Sequence, residues 1–272
     1  MGLYSQVNKF LIGRALVIGA GGLLLLFLTI PLFVLIMQAL DNELVEQFGQ
    51  PTVAQAIRLS LITTLISLLL TTVLGTPLAF WLARGRMRGR AIIETLLDLP
   101  IVLPPAVAGL ALLMTFGRRG VFGPILAQLN ISLPFTTIAV VMAQTFVAAP
   151  FYIRSAQIGF AHVPREIEEG ASDLGADPWQ VFRHVTFPLT RRALLSGVIL
   201  SGARALGEFG ATILFAGNFA GRTQTMPLAI YQAMESDPGS ALALAAVLVF
   251  ISFFFLLMLR WITHSRVTHP ML

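Results

Sequence analysis

Few residues in this chain have both the type and the spacing to do chemistry. There is no cysteine, so disulfides, thiolate ligands and cysteine nucleophiles are excluded together. The four histidines (His162, His184, His264 and His269) share no ligand spacing, and no metal site is expected. Lys9 is the only lysine and stands between Asn8 and Phe10, so no G-x-x-x-x-G-K-[ST] phosphate loop is present. Nor is there a Ser/His or paired-aspartate arrangement at helical spacing. What remains is one charged pair inside an apolar run, Arg204 and Glu208, and one long polar segment, residues 161–192. Four residues apart, Arg204 and Glu208 share a helical face and can pair. A charge at the centre of a bilayer helix costs about 2.5–3.5 kcal/mol, so such groups are paired or functional. Two readings stay open: a gate or translocation-path element with Gly207, or an ion pair that fixes helix register. Gly202, Gly207 and Gly210 would permit close helix approach.

The composition says what must position these groups. Only 11% of the 272 residues are charged and 56% are hydrophobic, against about 25% charged in soluble domains. Such a chain cannot cover a globule with polar surface, so a soluble enzyme is excluded. The net charge of +5 is spread between apolar runs rather than clustered, which argues against nucleic acid. A bilayer crossing needs roughly 20 apolar residues. Runs at about 15–40, 59–83, 96–117, 135–160, 193–217 and 238–260 give six crossings, and the absence of strand alternation excludes an outer-membrane barrel. Residues 1–14 and 263–272 read as tails around one transmembrane domain, 15–262. The first run far exceeds a signal-peptide core and no convincing A-x-A cleavage site follows it, so it is expected to be retained.

Orientation follows the basic residues. Lys9, Arg14, Arg84, Arg86, Arg88, Arg90, Arg154, Arg165, Arg183, Arg191, Arg192, Arg260 and Arg266 fall on one side; Arg58, Arg118, Arg119 and Arg222 fall on the other. The first set predicts a cytoplasmic side holding both termini. Arg118 and Arg119 are an exception, read as a solvated turn or as a contact for an acidic partner or oxyanion. Pro100, Pro104 and Pro105 interrupt the third run, as a packed kink or a break bordering a cavity. Glu94 and Asp98, near the same end of that run, read as interface anchors rather than ligands.

The 161–192 loop reads as two short helices. Glu166, Glu168 and Glu169 suit a first helical turn. Ile167, Ala171 and Leu174 form an apolar stripe, and Gly175 supplies a left-handed end. Asp177, Pro178 and Gln180 make a capping box for a second helix bearing Trp179, Phe182 and Val185, which Pro188 is expected to stop. An apolar stripe in a solvated loop either packs beneath the bundle or docks a partner in helix-in-groove fashion.

The spacing Glu169-Gly170-Ala171, Gly175, Val185-Thr186-Phe187-Pro188 resembles the E-A-A-x3-G-x9-I-x-L-P motif of ABC-importer permeases. Gly170, Val185 and Phe187 depart from it; Glu169, Gly175 and Pro188 match it. The runs Leu99–Pro105, Gly117–Gly120 and Ala203–Thr212 are similar to those of molybdate permeases, with sulfate permeases similar around Gly207-Glu208. The resemblance covers roughly Ala54 to Leu259.

It implies an all-α, type I importer bundle in the cell (inner) membrane whose loop couples to an ATPase. The expected partners are cytosolic ABC ATPase subunits, which use ATP and Mg, an extracytoplasmic oxyanion-binding protein and a second permease copy, as a homodimer for the molybdate type. The chain itself binds no cofactor and is no enzyme. Molybdate is the implied cargo, with tungstate or sulfate as alternatives. A gradient-driven carrier using Glu208 as proton site is a rival of another class, but inverted repeats are not evident.

Overall fold

The computed structural model describes residues 2–41, 47, 49–85 and 88–264, and within them all regular structure is helical. Arg86, Arg266, His269 and the expected tail beyond His264 lie outside these residues. Helix α1 is Gly2–Asp41, so helical backbone begins within the expected 1–14 tail; α2 is Pro51–Arg84. Then come α3 (Arg90–Val102), α4 (Pro105–Phe116), α5 (Gly123–Gln128) and α6 (Thr137–Ala161). The loop contributes α7 (Arg165–Asp173) and α8 (Pro178–Val181), the latter joined by a π-helical turn, Phe182–Thr186, to α9 (Phe187–Leu206). The order closes with α10 (Gly210–Ala216), α11 (Met226–Ser236) and α12 (Pro238–His264).

Four described stretches are long and apolar enough to cross a membrane unaided: Val17–Leu40, Pro51–Arg84, Thr137–Ala161 and Pro238–Thr263. The third and fifth expected spans are each broken. Helices α3 and α4 meet at 115°, and the helix ending at Leu206 meets α10 at 60°. Counting each bent pair as one span gives six crossings. The first bend has a local cause, since Pro104 and Pro105 cannot donate the hydrogen bonds that would carry α3 onward. Pro188 does not stop its helix, contrary to expectation. It falls in the first turn of α9, after a wide π turn in which Phe187 N–H reaches back to Phe182 O, so the missing proline N–H is absorbed.

Helix α6 is central, packed along α2 and α9. One apolar core joins α4, α6 and α10 through Ala108, Leu112, Val140, Val147 and Phe215. Another, nearer the loop, joins α2, α6 and α9 through Leu82, Tyr152, Phe160 and Leu194. A third joins α2, α9, α11 and α12 through Val53, Leu206, Met226 and Leu244. Lipid tails supply no hydrophobic drive between helices, so small and polar residues hold such contacts. On α2, the buried Ser60, Thr63, Thr64, Ser67 and Thr71 form a seam. Ser60 Oγ accepts from Met226 N–H at 2.7 Å, and Ser67 Oγ accepts from Thr145 at 3.0 Å.

The two bent spans touch beside their bends. A Cβ built on Gly210 would lie 2.7 Å from Pro105 Cβ, and one on Gly109 would lie 2.7 Å from the Ala211 carbonyl oxygen. Backbone there cannot yield as a side-chain tip can. Gly109→Val is therefore expected to destabilise the bundle by about 1–3 kcal/mol. Gly170→Ala, with nothing within 4 Å of its Cβ, should be neutral or stabilising, and thermal unfolding in detergent compares the two.

Candidate functional site

The loop's first helix begins after Pro164, with Glu166 and Glu168 in its first turn. Gly175 follows it at φ +92°, the left-handed conformation its position requires. Asp177 then builds the expected capping box: its carboxylate accepts from Gln180 N–H at 2.9 Å, while Gln180 Oε1 accepts from Asp177 N–H at 3.0 Å. The loop thus has a fixed internal shape.

It is also fastened to the bundle, and the fastening residue is Glu168. Its Oε1 accepts from Arg84 Nη2 at 2.9 Å, at the end of α2, and from Thr186 Oγ1 at 2.7 Å, ahead of α9. Arg84 Nη2 also donates to Val163 O at 3.0 Å, just past the end of α6. One mostly buried ion pair therefore ties together α2, α6, α7 and the start of α9. Aromatic rings add a second joint: Trp179 stacks on Phe182 at 5.8 Å, and Phe182 lies edge-on to Phe80 of α2 at 5.7 Å and tilted against buried Phe160 at 6.5 Å.

The motif residues have different fates. Glu169, Gly170 and Gly175 are exposed, and nothing lies within 4 Å of a Cβ built on either glycine. Ala171 and Val185 are half-buried, while Phe187 and Pro188 are exposed at the start of α9. Outward from the bundle stand Leu174, 91% exposed, and Trp179, 64% exposed, with Ile167 and Leu189 about half exposed. A cavity of about 480 Å³ opens at Ile167 and Leu189, lined also by Ile158, His162, Val163 and Ala193 among others. Of the two readings of the loop, its buried side packs on the bundle and its apolar stripe faces outward.

Arg204 and Glu208 do pair, Nη1 to Oε2 at 2.7 Å, though off the axis of a hydrogen bond. They do not share one helix as expected. Helix α9 ends at Leu206, and Glu208 sits in the break, 1% exposed, where its Oε1 accepts from Ala211 N–H at 2.8 Å. The carboxylate thus satisfies a donor at the start of α10 that has no partner within its own helix. Gly207 is exposed with φ −86°, so close approach falls to Gly202 and Gly210 rather than to it. Arg118 and Arg119 are exposed in the turn after α4. Glu94 and Asp98, read as interface anchors, are partners of Arg154 on α6.

Sequence reading missed Arg84, Thr186 and Arg154. Arg84 stands 84 positions from Glu168 and Arg154 stands 56 from Asp98, beyond the reach of any local pattern. Arg84 was legible only as a basic residue at a helix end.

Two bent spans with a loop fastened to them complete the helical bundle of an integral-membrane protein. The bundle superposes on that of a bacterial alginate ABC transporter solved in complex with alginate pentasaccharide-bound periplasmic protein, with a TM-score of 0.72, 17% identity and 98% of each chain covered. The family follows from the sequence match: residues 75–267 fit the model of the binding-protein-dependent transport system inner membrane component, and the chain belongs to that family. It is 36% identical over 228 residues to the sulfate transport system permease protein CysT of Salmonella typhimurium, covering 82% of each. It is 45% identical over 160 residues to the molybdenum transport system permease protein ModB of Mycobacterium tuberculosis, covering 59% of this chain. That match spans 61% of the mycobacterial protein's length.

Glu168→Ala strips a mostly buried arginine of its partner and should cost about 1.5–3 kcal/mol. Glu169→Ala, exposed and without such contacts, should stay within about 0.5 kcal/mol. Thermal unfolding in detergent, with protease sensitivity of residues 165–185, checks both.

Proposed function

We propose that this chain is the permease subunit of an ATP-driven importer of a tetrahedral oxyanion, with molybdate as cargo. The observation that carries the reading is the loop: apolar side chains face outward on a segment that hydrogen bonds fix to α2, α6 and α9. Solvent alone gives no reason for Leu174 and Trp179 to stand there. A groove on a separate ATPase subunit does. The basic-residue count supports placing this loop, and both termini, on the cytoplasmic side. The absence of a phosphate loop in the sequence supports a separate polypeptide for hydrolysis.

In this reading ATP draws two ATPase subunits together, and each carries the loop of one permease chain. Because Glu168 fixes the loop to three spans, its displacement tilts helix ends instead of dissipating in the loop. The bends at Pro104-Pro105 and Gly207–Phe209 lie where two spans touch, and Glu208 with Arg204 keeps the second satisfied as it moves, as a gate element. The partners are a second, identical permease copy and an extracytoplasmic oxyanion-binding protein, which releases cargo to the outward-open bundle. ATP shifts the equilibrium through its different affinity for the two states. The molybdenum permease relative supports molybdate, and the longer alignment with the sulfate permease supports sulfate as the second reading.

Purification of the tagged protein should recover a P-loop ATPase, and Leu174→Asp with Trp179→Asp should lower that recovery about tenfold or more without loss of membrane insertion. Gly175→Val, forced to hold φ +92°, should act in the same direction. Undiminished recovery removes the docking assignment. Vesicles carrying the complex should take up labelled molybdate on addition of ATP, and uptake of sulfate alone reassigns the cargo. Uptake without any ATPase returns the case to a gradient-driven carrier.

A further inference from the structure

Helix α3 is attached to the bundle in an unusual way. None of its residues is fully buried, and only Ile93 and Leu97 pack in part against the core. Ile92, Leu96 and Val102 are exposed. It is also held by a charged cluster reaching from α6. Arg154 Nε donates to Asp98 Oδ1 at 2.8 Å, and Nη2 donates to Asp98 Oδ2, making a two-pronged pair. Nη2 also reaches the Glu94 carbonyl oxygen at 3.2 Å, and Nη1 reaches Gln157 Oε1 at 2.9 Å. Gln157 Nε2 in turn donates to Glu94 Oε1 at 2.6 Å, which Arg90 Nε also holds at 2.7 Å.

This cluster is separate from the loop fastening, and its position in the chain gives it a task. Helix α6 continues from Arg154 to Ala161 and directly into Val163, whose carbonyl oxygen Arg84 holds beside Glu168. Helix α3 leads from Asp98 into the 115° bend, beyond which α4 packs against α10. With Arg154 31% and Asp98 37% exposed, the pair adds little net stability, and apolar packing would serve a permanent attachment as well or better. A guanidinium fork instead fixes distance and orientation together.

We propose that Arg154 is a positioning residue for transport, clamping α3 to α6 through Asp98 so that displacement of the loop is carried into the bent span. The proposal rests on the importer reading above. The clamp, not general packing, makes α3 follow α6.

The test uses the full transporter, purified with its ATPase and binding protein and reconstituted in vesicles, reading labelled molybdate uptake and ATP hydrolysis together. Asp98→Asn and Arg154→Lys are expected to keep hydrolysis within about twofold while uptake falls about tenfold, because lysine keeps the charge and loses the fork. The swap Asp98→Arg with Arg154→Asp should return uptake to within about threefold of the native protein, the coupling signature of a direct pair. Uptake and hydrolysis falling in parallel, or neither changing, overturns the proposal. A second measurement needs only the permease. The chain has no cysteine, so Leu96→Cys with Ile158→Cys carries one spin-label pair across α3 and α6. Its distance distribution should be narrow with Asp98 present and broaden with Asp98→Asn; an unchanged distribution overturns the clamp. A preparation lacking any ATPase would sink the importer reading while leaving this spin-label result to stand.

Discussion

The structure depends on how one carboxylate, Glu168, is shared. A loop stays in register with the helices it joins only if something ties it to them. Glu168 does so by bonding Arg84 and Thr186 at once, with Arg84 also closing on Val163. The Trp179–Phe182–Phe160 rings add an apolar joint from an exposed position to a fully buried one. Because the partners are short-range and directional, they resist rotation as well as separation. The capping box at Asp177 and the left-handed Gly175 preserve the loop's internal shape.

Within the bilayer the governing constraint is that every exposed backbone polar group needs a partner. Both bends obey it by local means. At Pro104-Pro105 the prolines remove donors that would otherwise go unmet. At Gly207–Phe209 the Glu208 carboxylate takes the Ala211 N–H while Arg204 balances its charge. The Ser/Thr seam of α2 does the same between helices, with Ser60 holding the start of α11 and Ser67 reaching α6. The bends touch through Gly109 and Gly210, where no Cβ fits, so a change in one span is felt in the other. Glu168, Arg154 and Glu208 mark three such points in the fold. Each is a directional polar contact at a joint between rigid helices.

The sequence by itself determined the membrane class, the helical apolar runs, the loop with its two short helices, its Gly175 turn and its Asp177 cap. These rest on composition, hydrophobic period and local hydrogen bonding, all of which act over a few residues. It also marked Arg204 with Glu208 as a pair, because four residues span one turn. Only the tertiary structure decided that Glu168 rather than Glu169 holds the loop, and that Glu208 lies in a break and caps α10. It likewise decided that Pro188 is absorbed by a π turn, and that Asp98 and Glu94 answer to Arg154 on another helix. Each of these depends on which side chains meet across dozens of intervening residues. Local propensity carries no record of such meetings: burial and the satisfaction of polar groups select them when the helices pack.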